Sequence, residues 1–190
     1  MFAGHFGVAA AVRAKSPNVP LWALMAATQL LDILFVPLML TDVETIDSSG
    51  GTHYGEAVIH ADYTHSLVGM LLISVLAGWA AAKAWGRRGG VTVGAVVASH
   101  WVLDLVVHRT DMPILPGNAG DLPLLGFGLW KYPGWSAAAE IALVAVGCLM
   151  YAMSLRRRSA HSMRKGRAWT AGLAMGLLLC LSFVTDFLGI

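Results

Sequence analysis

Residues 91 to 111 read VTVGAVVASHWVLDLVVHRTD, and this stretch decides what kind of molecule the chain can be. Its length and apolar content suit a membrane-spanning helix, yet it carries His100, Asp104, His108 and Asp111. Ionisable side chains inside a bilayer are costly to desolvate, so they face a protein interior or an aqueous cavity and mark a relay, a pathway or a ligand site. On a helix, His100, Asp104 and His108 stand at i, i+4 and i+8, drifting about 40° per step, and Asp111 returns to within about 20° of His100. One helix face then presents several groups able to ligate a metal or carry a proton. The competing reading is a polar seam between packed helices.

The remainder of the chain supports a membrane setting. Its 190 residues are 57% hydrophobic and only 13% charged, too apolar for an ordinary soluble domain. We expect an all-α, polytopic integral membrane bundle forming one domain over residues 1–190, with five transmembrane helices near 19–41, 63–85, 91–110, 133–154 and 168–189. A short helix over residues 2–12, carrying His5, precedes them. It does not read as a cleaved signal peptide, because Arg13 and Lys15 follow its apolar part and no charge precedes it. Cys148 and Cys180 fall inside spans and read as small core residues.

Charge placement gives an orientation. Arg13 and Lys15 follow the first helix; Lys83, Arg87 and Arg88 separate the 63–85 and 91–110 segments; Arg156, Arg157, Arg158, Arg164, Lys165 and Arg167 precede the last. These eleven of the 13 Lys and Arg residues share one side, which the positive-inside rule makes cytoplasmic. The stretch from Asp42 to Asp62 holds Asp42, Glu44, Asp47, Glu56 and Asp62 and no Lys or Arg, as an outward loop should, with Ser48, Ser49, Gly50 and Gly51 as its tip. Both termini are then expected outside the cytoplasmic (inner) membrane. The long stretch from Thr110 to Gly134 contains Pro113, Pro116, Pro123 and Pro133 among many glycines, so it reads as an irregular, apolar loop in the outer interface.

This topology assigns each intramembrane polar residue to a leaflet. His5, Asp32, His60, Asp62, His65, His100, Asp104, His108, Glu140 and Asp186 all fall between mid-depth and the outer surface. Isolated tolerated polar groups should scatter over both leaflets. A compact His and carboxylate cluster open to the extracytoplasmic side accounts for the bias. Such a thiolate-free ligand set suits zinc, manganese or non-haem iron with open positions, and hence metal-assisted hydrolysis. The same residues can serve a proton or cation relay.

The motifs Gly4-His5, the lone Asp32, Thr64-His65-Ser66 and Ser99-His100-x-x-x-Asp104 followed by Pro113 resemble the membrane-bound metal-dependent hydrolases of the YdjM-like, LexA-regulated type. That family is distantly similar to zinc-dependent phospholipases C, and the resemblance covers roughly residues 1–116. It implies His5, Asp32, His65, His100 and Asp104 as metal ligands. Two departures stand out. The family's Pro-Asp-x-Asp-His becomes Leu31-Asp32-Ile33-Leu34-Phe35, and its His-Arg-Gly-x-Thr-His-Ser becomes His60-Ala61-Asp62-Tyr63-Thr64-His65-Ser66. The second change can restore the acid that the first removes.

The reading is therefore a hydrolase holding one or two divalent metals, zinc favoured, with His108 as a further candidate ligand. Asp62 or Glu140 is the expected general base, and Arg109 a candidate clamp on a phosphate or carboxylate. Its expected partners are membrane lipid and a lipid or envelope-associated substrate bearing a phosphoester, ester or amide, with no nucleic acid. A non-catalytic metal-binding module is the alternative. A coupled transporter is disfavoured, because the inner halves of the spans offer almost no polar residues.

Overall fold

A computed structural model describes residues 2–47, 58–161 and 165–188, with the side chains of 158–161, 165, 167–169 and 186–188 left out. The tip at 48–51, His53, Glu56, Arg164 and the side chains of Arg158, Arg167 and Asp186 lie outside the described set. The chain is mostly helical: α1 spans Phe2–Lys15, α2 Leu21–Thr28, α3 Leu30–Leu40, α4 Leu67–Val107, α5 Pro133–His161 and α6 Lys165–Leu188. The acid-rich loop starts and ends in a two-stranded antiparallel ribbon, β1 (Thr45–Asp47) and β2 (Val58–His60), with Thr45 opposite His60.

Three expected boundaries change. The 19–41 segment is not one rod but α2 and α3, bent by 50° at Gln29, whose φ of −109° and ψ of 9° leave the helical region. The 63–85 and 91–110 segments form a single element, α4, which leaves helical geometry at Trp85 and at Gly86 (φ 70°, ψ 175°), the latter a backbone setting that glycine adopts freely. There α4 doubles back: a Cβ added to Gly90 would lie 2.6 Å from the Ala82 Cβ, and one on Gly94 would lie 2.9 Å from the Ser74 carbonyl oxygen. Along an unbroken helix residues 20 apart are separated by about 30 Å, so these contacts require a reversal. Finally, α4 ends at Val107, and Asp111 does not extend its polar face. At that end the Leu105 and His108 carbonyls accept the Phe127 and Gly128 N–H groups, at 2.8 and 2.6 Å, in place of a further helical turn.

Among the described residues two helices are long and apolar enough to cross a membrane, Leu67–Val107 and Pro133–Arg157, or three if the bent α2–α3 pair is one span. The five expected crossings are not reached by that count, because the reversal sits inside one helix and the apolar part of α6, Thr170–Thr185, is short. Many large apolar side chains face outward, among them Leu72, Val75 and Trp79 on α4 and Leu173, Leu177 and Leu178 on α6. A belt of this kind suits lipid rather than water. Cys148 is half-buried and Cys180 exposed, so the latter is not a core residue.

Packing brings the N-terminal helix inside. α1 lies along α5 and also touches α2, α4 and α6. One apolar cluster joins Ala9, Leu24, Leu31, Met70, Val97 and Trp101, and a second joins Ala3, Ala10, Val144, Met175 and Leu179. Between 110 and 134 the chain is irregular, with single 3-10 turns at Pro116–Asn118 and Leu129–Lys131. It folds back onto the start of α4, where Leu67 and Val68 donate backbone N–H groups to the carbonyls of Pro113 and Ile114.

Candidate metal centre

Each break in helical structure supplies part of the site. A continuous helix would pair the Thr28 carbonyl with the N–H four residues on. At the α2–α3 bend this oxygen instead accepts from His100 Nδ1 at 2.5 Å. His65 sits just before the α4 N-cap, Ser66, whose hydroxyl accepts the Gly69 N–H at 3.0 Å. The His65 carbonyl is held by Trp101 Nε1 at 2.7 Å. The His100 ring and the His65 backbone are thus held from outside the cluster, with His65 5% and His100 1% exposed.

Their Nε2 atoms meet at 3.3 Å. Asp32 Oδ1 lies 3.4 Å from His65 Nε2 and 3.5 Å from His100 Nε2. Asp104 Oδ2 lies 2.9 Å from His100 Nε2 and 3.6 Å from His65 Nε2. On the far side of the same carboxylate, Asp104 Oδ1 faces His5 Nε2 at 3.2 Å, and the His5 ring stacks on His100 with centroids 4.0 Å apart and 12° between planes. Ligand atoms of His5, His100 and Asp104, and of Asp32, His65 and His100, form two groups that could hold a metal ion. Four of the five residues are buried; Asp32, with 40% of its side chain exposed, forms the open edge.

These spacings can be compared with what an ion requires. Zinc binds His nitrogen and carboxylate oxygen at about 2.0–2.2 Å, so the edge of its ligand tetrahedron is about 3.3–3.6 Å. The triangle of Asp32 Oδ1, His65 Nε2 and His100 Nε2 has edges of 3.3, 3.4 and 3.5 Å. The donor set therefore fits one face of a tetrahedral site. Its chemistry fits as well. A backbone carbonyl only accepts, so His100 Nδ1 carries a proton, and in the neutral ring the Nε2 lone pair points toward two carboxylates. A cation satisfies that arrangement.

His5, Asp32, His65, His100 and Asp104, separated widely in sequence, thus meet at one point. The other candidates do not join them. His108 turns its Nδ1 to Asp111 Oδ1 at 3.1 Å, and its ring lies 6.4 Å from that of His65 and 4.3 Å from that of Trp130. Glu140 is fully buried, and its Oε1 accepts the Gly4 N–H at 3.0 Å, tying α5 to α1. Asp62 is half-buried, and its carbonyl accepts the Gly117 N–H at 2.9 Å. Arg109 is half-buried beyond the end of α4, its carbonyl accepting the Asp111 N–H at 2.8 Å. His60 is exposed in β2.

Sequence reading overlooked Thr28, whose carbonyl becomes available only because the helix breaks. It also took Glu44 for a loop acid, whereas this residue is 1% exposed. The Thr64-His65 dipeptide was the available signal, since a hydroxyl beside a ligand histidine calls for a hydrogen-bond partner. Comparison of the chain with protein-family models, with curated proteins and with solved structures finds no match.

Proposed function

We propose that this protein is an integral membrane metal-dependent hydrolase whose His/Asp cluster holds a divalent cation, zinc favoured, and that it cleaves a phosphoester, ester or amide bond in a lipid or envelope-associated substrate. The observation that carries the reading is the pair of Nε2 atoms facing each other at 3.3 Å between two carboxylates. Two neutral imidazoles and two carboxylates have a net charge of about −2, which a divalent ion offsets while accepting both lone pairs. The resemblance to the YdjM-like hydrolases implies the same five residues.

When bound, the ion supplies Lewis acidity, activating water and polarising the bond to be broken. His65, His100 and Asp104 keep their geometry because burial and outer hydrogen bonds leave them little freedom. His5 holds Asp104 Oδ1, which leaves Oδ2 directed at the two other histidines. Asp32 lies on the side from which water and substrate arrive, and its exposed carboxylate edge accepts the proton released by water. Ile33 and Val36, exposed beside it on α3, make that approach apolar, as suits a substrate drawn from lipid. Glu140 serves by anchoring α1 rather than as a base.

In this reading the arms of α4, the α2–α3 pair, α5 and α6 cross the inner membrane, and α1 enters it partway. The basic connections face the cytoplasm, and the cluster and both termini face outward. Protein purified in detergent should hold divalent metal in stoichiometric amount by elemental analysis, and His100→Ala should lose it together with any hydrolysis of phosphodiester or ester lipids in vesicles. Wild-type protein that takes up no metal from excess zinc overturns the proposal. The burial of four of the five residues favours, as a second reading, a module with a structural metal; metal retention without turnover of these lipids selects it.

A further inference from the structure

Glu44 follows α3 in a turn, where an acid would ordinarily be solvated, yet it is 1% exposed. Its Oε1 accepts the backbone N–H groups of Tyr63 and Thr64, each at 2.8 Å. Those bonds hold the segment that delivers His65. The Thr64 hydroxyl also donates to this carboxylate, at 2.9 Å to Oε2 and 3.1 Å to Oε1. The same Thr64 Oγ1 lies 2.9 Å from His65 Nδ1.

A hydroxyl has one proton, and here it is committed to Glu44. Toward His65 the Thr64 oxygen can only accept, so His65 Nδ1 must carry the proton. The neutral ring then offers its Nε2 lone pair to the cluster. We infer that Glu44 is a positioning residue for the metal site, selecting through Thr64 the His65 tautomer that binds the cation; the inference rests on the metal-site reading above. Outer hydrogen bonds of this kind orient a ligand imidazole and raise its basicity.

Glu44→Gln separates this role from mere support. The amide oxygen can still accept both backbone N–H groups, but the amide nitrogen donates to Thr64 Oγ1. The hydroxyl proton is then released toward His65 Nδ1, the tautomer reverses, and Nε2–H points into the cluster. Thr64→Val deletes the connection, and Thr64→Ser restores it.

The test uses the full chain in detergent, with zinc affinity measured by chelator competition and His65 protonation by nitrogen NMR of the metal-free protein. Expected results are a roughly 10- to 100-fold loss of zinc affinity in Glu44→Gln and in Thr64→Val, wild-type affinity in Thr64→Ser, and a shift from the Nδ1–H to the Nε2–H tautomer in Glu44→Gln. Unchanged affinity and tautomer in Glu44→Gln overturn the inference, as does equal affinity in Thr64→Val and Thr64→Ser should Glu44→Gln fail to fold. Absence of zinc binding in the wild type overturns the metal reading instead, and the tautomer measurement then still decides the role of Glu44.

Discussion

Asp32 and Asp104 bring the same carboxylate to the same cluster from opposite surroundings. The Asp104 side chain is 6% exposed and lies between His5 and His100, whereas that of Asp32 is 40% exposed. Leaving a buried polar group without its hydrogen-bond partner costs about 1–3 kcal/mol, while an exposed pair contributes about 0–1 kcal/mol. Asp104→Asn should therefore abolish metal binding and also lower the unfolding midpoint in chelator, where metal contributes nothing. Asp32→Asn should weaken metal binding with little change in that midpoint. Equal destabilisation by the two variants would refute this difference in environment. Spacing alone revealed His100 with Asp104, because a helix places i and i+4 together. It could not reveal that Asp111 leaves the face, since that depends on where α4 stops, nor that Glu44 is buried, since a loop acid has no periodicity to read.

At the scale of elements, the site depends on how closely α1 approaches α5. A Cβ added to Gly7 would lie 2.6 Å from the Leu143 carbonyl oxygen, and one on Gly147 would meet the Gly7 backbone. This contact, with the Glu140 bond to the Gly4 N–H, presses His5 against Asp104. Gly7→Val should cost about 1–3 kcal/mol by overpacking and displace His5. Zinc affinity should fall, but less than in His100→Ala, because His5 faces the far oxygen of Asp104. Gly176→Ala makes a fair control, since a Cβ there meets nothing within 4 Å. If Gly7→Val binds zinc as the wild type does, α1 does not set the geometry. Apolar run length was enough to locate the helical segments. The 50° bend at Gln29 was invisible to it, because the composition is apolar on both sides and the bend is justified only by the distant His100 ring that takes the Thr28 carbonyl.

For the whole molecule, charge and site lie toward different ends. Lys15 and Arg157 line one cavity with Met150 and Met153, so the basic ends of α1 and α5 are adjacent. Trp22, near the start of α2, packs on Trp85 at the α4 reversal with centroids 6.0 Å apart, which brings Arg87 and Arg88 toward the same end. From Arg88, His100 is about 18 Å further along the helix, more than half the thickness of a hydrocarbon core of about 30 Å. If the basic end is cytoplasmic, the cluster must sit in the outer half, reachable from outside through Asp32. The orientation can be read by thiol labelling in cells, in a background with Cys148 and Cys180 replaced by serine. Arg88→Cys, at the exposed reversal, should react with a membrane-impermeant maleimide only after lysis, and Tyr132→Cys, exposed before α5, should react in intact cells. The opposite pattern would turn the cluster toward the cytoplasm and remove an envelope-facing substrate from consideration, while leaving the metal geometry untouched.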